Sequence, residues 1–189
     1  MYRNLATIDD RAVAHSRYAT CSYDTDRYNR ARLSYYFSII QEAAGVHAGL
    51  RGLSIADLQA QGKMWVITRN STEIHRYTRW GEIISVKTWA AEPVRLHLPR
   101  YIEGYDEENR LLFRSTTLWA ILETETGRPQ RPKIYSDQII TPAADDSDHP
   151  ITVTIAKPLI KDTSWIMLNE TEVLLTYDDF DSNLHVNNL

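Results

Sequence analysis

With 189 residues, 43% of them hydrophobic and 24% charged, the chain has the make-up of a globular protein of one large domain or one and a half ordinary ones. A net charge of −4 removes the electrostatic footprint of general nucleic-acid binding, and no run approaches the ~18 apolar residues of a membrane span. The single cysteine, Cys21, excludes an intramolecular disulfide framework and fits a reducing compartment; the N-terminal "MYRNLATIDDRAVAHS" has no apolar stretch of a signal peptide, so the cytoplasm is the expected location.

A first strand is predicted over residues 15–23, stopped by the turn-formers of "YDTDRYN". The strongest helix signal follows in "RARLSYYFSIIQEAAGVHAGL", where Leu33, Phe37, Ile40, Ala44 and His47 recur at intervals of three and four. At ~1.5 Å per residue this helix is roughly 28 Å long, enough to cross a whole sheet. "GLRGLS" breaks it, and Ser54 can cap a short second helix that Gly62 closes. "KMWVITRNSTEIHRY", rich in β-branched and aromatic residues, reads as a strand, "TRWGE" as a turn and "IISVKTWAAE" as the next strand. "HLPRYIEGYDEENRLLFRSTTLWAILETE" reads as two long strands around a turn at 106–109. In the second, Phe113, Ser115, Thr117, Trp119 and Ile121 share one face, and both faces are largely uncharged after Arg114, which predicts a central strand.

"TPAADDSDHP" is a polar connector without periodicity, after which "SWIMLNETEVLLTYDDFD" returns to strand character. One long helix among antiparallel strands is an α+β arrangement, and a curved sheet wrapped around a single lengthwise helix is a hotdog fold. The expected organisation is an N-terminal hotdog domain over 1–140, a linker over 141–162 and the start of a second, truncated hotdog over 163–189.

An internal repeat supports that division. "CSYDTDRYNRARLS" and "LLTYDDFDSNLHVNNL" each run from a strand through Tyr-Asp and a turn Asp into a polar helix entry. Pairing Asp26 with Asp181 gives an offset of 155 residues and calls for one inserted residue between Tyr177 and Asp181. Tyr28 and Arg30 then stand where the later copy has Asn183 and His185.

Three segments carry a family resemblance: "QEAAGVHA" on the long helix, "WVITRNSTEIHRYTRWGE" through the next strand and turn, and "DFDSNLHVNNL" at the end. Together they resemble the acyl-acyl-carrier-protein (acyl-ACP) thioesterases, a family of two hotdogs in one chain whose active-site signature is Asp-x-Asn-x-His-Val-Asn-Asn. The resemblance implies hydrolysis of acyl-ACP thioesters to free fatty acid, no cofactor, and acyl carrier protein as partner, with a homodimer left open. It further implies Asp181, Asn183 and His185 as catalytic residues and one more, a Cys or an acid, beyond Leu189, so that the chain as it stands is expected to be inactive. An acyl-CoA thioesterase of the same fold and a non-catalytic acyl-thioester-binding hotdog are the alternatives.

Chemically, thioester hydrolysis needs an activated water, a polarised carbonyl and a dry slot for the acyl chain. Side chains two residues apart in an extended segment share one side. His185, ordinarily titrating near ~6.5, can take a proton at neutral pH, Asn183 offers an amide N–H to a developing oxyanion, and Asp181 can share the base role or fix the imidazole tautomer. Asp181 or Asn183 could equally cap a helix starting near Val186.

Leu33, Phe37, Ile40 and Trp65 are candidate acyl-pocket residues, with ordinary core packing as the other explanation. Arg128, Arg131 and Lys133 are candidate carrier-docking residues or plain surface charge, as are Arg76 and Arg79. His47 reads as a packed or hydrogen-bonded core histidine, His75 and His97 as exposed strand residues, and Cys21 as a small buried strand residue. No His/Cys spacing suits a metal, and "GLRGLS" is no phosphate loop.

Overall fold

The computed structural model describes residues 5–135, 138–139, 166, 169–181 and 186. The expected linker over 141–162, Asn183 and His185 lie outside the described residues. The chain divides into two compact units, Met1–Val153 and Thr154–Leu189.

In the first unit six strands make one antiparallel sheet: β1 (Ala6–Ile8), β2 (Ala14–Ala19), β3 (Lys63–Ile74), β4 (Ile83–Ala90), β5 (Leu98–Tyr105) and β6 (Leu111–Glu123). Their order across the sheet is β1-β2-β4-β5-β6-β3. The long helix α1 (Leu33–Leu50) and the short α2 (Ile55–Gln59) lie between β2 and β3 in the chain. A single long helix packed on an antiparallel sheet is the hotdog fold. As the sequence anticipates, β6 is interior, hydrogen-bonded to β5 on one side and β3 on the other, and it is buried on both faces from Ser115 to Leu118. Its polar interior residues are paired: Ser115 Oγ lies 2.8 Å from Thr72 Oγ1, and Trp119 Nε1 donates to Thr117 Oγ1 at 2.8 Å.

The core forms where α1 meets alternate residues of the strands. Tyr35, Tyr36, Ile39, Ile40 and Ala43 pack on Ile84, Val86, Ile102, Leu112 and Phe113. Small residues at 43–45 leave room for the helix to approach the sheet. The inward stripe is therefore turned from the one its spacing suggests: Tyr35 and Tyr36 take the inward places of the first turn, and Leu33 is 49% exposed. A second cluster, Ala48, Leu53, Leu58, Ile121 and Tyr135 with Trp65 against it, closes the other end of the helix. Gly104 is needed on β5 because a Cβ there would run into the Phe113 ring.

Local chemistry fixes the element ends. Ser54 caps α2 by accepting the Asp57 N–H at 3.1 Å, while Asp57 Oδ2 accepts the Ser54 N–H at 2.8 Å, and Gly62 leaves the following turn at φ +66°. Three sequence expectations need correction. The first strand stops at Ala19, because the Asp24 carboxylate accepts the Cys21 N–H at 2.9 Å and folds Ser22–Asp24 into a 3₁₀ turn; Cys21 is thus a half-buried turn residue and not a strand residue. His97 closes a tight turn with Val94 ahead of β5 and is half-buried. The strand beginning at Lys63 ends at Ile74, and the following "HRYT" is not strand.

The reason "RYTRWGE" matters is Thr78, which is fully buried at the N-terminal end of α1. Its N–H donates to Tyr36 Oη at 2.8 Å, its Oγ1 lies 2.8 Å from Thr20 Oγ1, and its carbonyl accepts the Ala31 N–H at 2.8 Å. One residue so ties β2, the start of α1 and the 76–82 turn together. Arg76 adds an outer clasp, donating to Glu82 at 2.7 Å and to Asp106 at 3.3 Å, so it is a structural cation and not a free docking charge.

Candidate active site

The loop between β2 and α1 is a closed turn built by two aspartates. Asp24 holds the 3₁₀ turn from Cys21, whose carbonyl accepts the Asp24 N–H at 3.1 Å. Asp26 Oδ1 accepts the N–H groups of Tyr28 at 2.8 Å and Arg30 at 3.0 Å, and its own N–H donates to the Arg30 carbonyl at 2.8 Å. The Arg30 main-chain bond foremost, then that of Tyr28, holds the Asp26 carboxyl below the ordinary range of an aspartate. Asn29 takes φ +57°, a conformation asparagine tolerates, and its Oδ1 accepts the Trp80 N–H at 3.2 Å. Thr25 and Ala31 form an isolated β-bridge across the loop mouth.

The second unit repeats this construction. Tyr177–Asp179 is a 3₁₀ turn; Asp179 Oδ2 accepts the Thr176 N–H at 2.6 Å, and the Thr176 carbonyl accepts the Asp179 N–H at 3.1 Å. The Thr176 N–H donating to Asp179 Oδ2 lowers the Asp179 carboxyl, with the Thr176 hydroxyl adding to it. Phe180 and Val186 form an isolated bridge. The cap, the 3₁₀ turn and the bridge all recur at one offset of 155 residues. The inserted residue inferred from the sequence is therefore absent: Asp24 corresponds to Asp179 and Tyr23 to Asp178, so the two Tyr-Asp pairs that suggested the repeat are one residue out of step. The pairing of Asp26 with Asp181 stands in this register. Asp181 is half-buried and already engaged in an interaction.

The candidate acyl-pocket residues separate. Ile40 is fully buried and Phe37 partly so in the first cluster, Trp65 packs on the second, and Leu33 faces outward. Trp65 Nε1 donates to the Leu53 carbonyl at 2.8 Å. Arg128, Arg131 and Lys133 are exposed around the buried Pro132.

Beside Trp65 lies a polar feature that the sequence reading treats only as a core histidine. His47 is 2% exposed, and its Nδ1 sits 2.6 Å from Nη1 of Arg100, which is 6% exposed and also reaches Thr88 Oγ1 at 3.3 Å. A guanidinium only donates, so Nδ1 accepts and the proton of neutral His47 is on Nε2, which is buried and faces the Ala12 main chain without a well-formed hydrogen bond. Burial first, then the charges of Arg100 and Arg51, push His47 down to about 2, and burial lowers Arg100 to about 10. The signal was available: Leu98, Arg100 and Ile102 alternate inward on β5, which puts the arginine on the core face.

Among the described residues no helix is long and apolar enough to cross a membrane. The sequence matches the family model described as the acyl-ACP thioesterase N-terminal domain over residues 11–139. It is 26% identical to a chloroplastic acyl-[acyl-carrier-protein] hydrolase of Cuphea viscosissima, over 96% of this chain and 46% of that one, so the chain spans about half of that relative's length. Two solved structures share the fold. An acyl-ACP thioesterase from Bacteroides thetaiotaomicron has a TM-score of 0.67 at 21% identity, with 95% of this chain and 70% of that chain covered. A 12:0-ACP thioesterase from Umbellularia californica has a TM-score of 0.67 at 21% identity, with 94% and 71% covered.

Proposed function

The chain belongs to the acyl-ACP thioesterase family, and from that premise we propose that the protein hydrolyses acyl-ACP thioesters, releasing free fatty acid and the carrier. The observation that most supports this is the repeated loop. At 155 residues' offset the same turn is built twice, and only the later copy carries Asp181, Asn183 and His185 where the earlier one carries Asp26, Tyr28 and Arg30. Arginine cannot serve as a base at neutral pH and tyrosine has no amide to offer an oxyanion, so chemistry is assigned to the second copy.

In this reading His185 takes the proton of the attacking water, with Asp181 sharing or orienting that role. Asn183 donates to the carbonyl oxygen as negative charge develops on it. Positioned base assistance contributes ~10²–10⁴-fold, and a preorganised oxyanion donor a further ~10²–10³-fold. Of the acyl-pocket candidates, the partly buried Phe37 and Trp65 remain available to meet an acyl chain, whereas Ile40 is spent in the core. Each methylene buried adds about 0.8 kcal/mol, which lets the depth of a pocket rank chain lengths. Arg128, Arg131 and Lys133 dock the carrier. The single thiol fits a reducing compartment, for which the cytoplasm is our reading, although the Cuphea relative is named as chloroplastic.

The test is thiol release by the full-length protein fed matched acyl-ACP and acyl-CoA. Faster release from acyl-ACP is expected. Preference for acyl-CoA would select the CoA enzyme, and saturable binding with no thiol freed would leave a non-catalytic binder. Reversing Arg128, Arg131 and Lys133 to Glu is expected to raise KM for acyl-ACP and leave KM for acyl-CoA alone; an unchanged acyl-ACP value would make the three plain surface charge.

A further inference from the structure

The register of the sheet gathers a group of polar side chains on the face that α1 packs against. Phe113, Ser115 and Thr117 alternate onto that face of β6. Ser115 stands opposite Ile102 on β5 and Thr72 on β3, and Thr117 opposite Arg100 and Asn70. Helix α1 lies over β2, β4 and β5, whereas β3 is the outermost strand on the far side. The polar group therefore runs from buried Arg100, Ser115 and Thr117 to half-buried Thr72 and exposed Asn70. Apolar residues flank it in both directions along β3. Ile74, which like Phe37 packs on the first core cluster, lies at one end, and Ile67 and Trp65 lie at the other. At ~3.3 Å per residue the line from Trp65 to Ile74 is roughly 30 Å long.

Within this group three oxygens share too few protons. Asn70 Oδ1 accepts from Thr72 Oγ1 at 2.7 Å and from Ser115 Oγ at 3.1 Å, and the two hydroxyl oxygens also lie 2.8 Å apart. Two hydroxyls carry two protons, so one of the three contacts has none. A ligand hydroxyl that donates to Asn70 Oδ1 frees Thr72 to turn its proton to Ser115, and every contact then has a donor. A ketone oxygen brings no proton, and a plain methylene chain covers the cluster without pairing it, which costs free energy. With apolar residues on both sides, the matching hydroxyl is one carried within a hydrocarbon chain. Resting on the hydrolase reading above, we propose that Asn70 and Thr72, backed by Ser115, are specificity residues that select acyl thioesters hydroxylated along the chain. The acyl chain lies along β3, against Ile67 and Trp65 on one side of its hydroxyl and Ile74 on the other.

The experiment compares kcat/KM of the full-length protein on a set of dodecanoyl-ACP substrates: the plain chain, isomers with one hydroxyl near the thioester, at mid-chain or near the methyl end, and the matching oxo chains. One hydroxy isomer is expected to exceed the plain chain about tenfold, the worth of one hydrogen bond, and its oxo counterpart is not. Asn70→Leu, at an exposed strand position, is expected to lower kcat/KM for that isomer about tenfold and to raise it for the plain chain. Thr72→Val is expected to shift the ratio the same way; should it fail to fold, Asn70→Leu carries the test. The proposal is overturned if no hydroxy isomer beats the plain chain or if the oxo chain matches the hydroxy one. It is overturned as well if Asn70→Leu lowers all substrates alike, which would place the amide on the carrier's pantetheine arm. Thiol release without discrimination sinks this proposal alone, whereas no release from any substrate sinks the hydrolase reading and this one with it.

Discussion

Residues 21–31 and the described residues 176–181 and 186 repeat one construction from two sequences. In both, an aspartate three residues past the cap closes a 3₁₀ turn, and a bridge six residues wide shuts the loop. Of the matched positions only Asp24 with Asp179 and Asp26 with Asp181 keep the same side chain. The main-chain path of this loop is thus set by short acceptors that satisfy backbone N–H groups, and the positions between them are open to other uses. The first copy spends them on Arg30 and Tyr28, whose guanidinium and ring stack at 5.3 Å on the surface; in the sequence the matching positions of the later copy are Asn183 and His185.

The sharpest way to break that contrast is to remove the differing residue from each copy. In the full-length protein His185→Ala is expected to lower turnover by ~10²–10⁴-fold, whereas Arg30→Ala, at the matching position, leaves kcat within a factor of a few. Equal losses from the two would mean that the first loop also takes part in the chemistry. Thiol-release kinetics at saturating substrate decide it.

Anchorage of the first loop comes next in size. Thr78→Val keeps the shape but removes the hydroxyl facing Thr20, leaving that buried oxygen without its partner. An orphaned buried hydroxyl costs about 1–3 kcal/mol. Urea unfolding should show a loss in that range, and a change below 0.5 kcal/mol on the same ~1–3 kcal/mol scale would mean Thr78 is not the hub of the loop.

The buried histidine of the first unit gives a pH-dependent test. His47 has a folded-state value depressed to about 2, so its contribution to stability is fully present above its unfolded value near 6.5 and is lost as pH falls below that. At ~1.4 kcal/mol per pH unit the loss at pH 5 is about 2 kcal/mol. His47→Gln, which keeps an acceptor for Arg100, should flatten that slope between pH 6.5 and 5 while leaving a His185-dependent limb of the pH–rate profile in place. A slope unchanged by the substitution would mean that His47 protonates in the folded protein.

The long helix, the capped second helix and five of the six strands were legible because each rests on local signals: period, capping chemistry, β-branched runs. Ala6–Ile8 was not, since three residues carry no period. Leu33 was misplaced because spacing defines a face only to within one residue, and which neighbour turns inward depends on Tyr36 finding Thr78, 42 residues away. The repeat was visible through its aspartates, yet its register was read one step wrong at the Tyr-Asp pairs, because identity of letters competed with equivalence of hydrogen bonds. That Arg100 points inward could have been read from the alternation on β5, but its pairing with His47, 53 residues away on the helix, is brought about only by the fold.

The smallest expected effect tests the loop's own logic. Asp26 accepts two main-chain N–H groups, and these bonds, not a buried charge, are what lower its carboxyl. Asp26→Asn retains an oxygen in the same place and should leave Tm nearly unchanged at pH 7; Asp26→Ala removes it and should lower Tm by less than Thr78→Val does. Because the folded value is depressed, the Asp26 contribution is present above its ordinary value of 3.8 and fades as pH drops below it. The Ala variant should therefore converge on the parent at strongly acid pH. If Asn destabilises as much as Ala, the charge itself holds the loop, and Asp181 at the matching position would owe its place to charge as well.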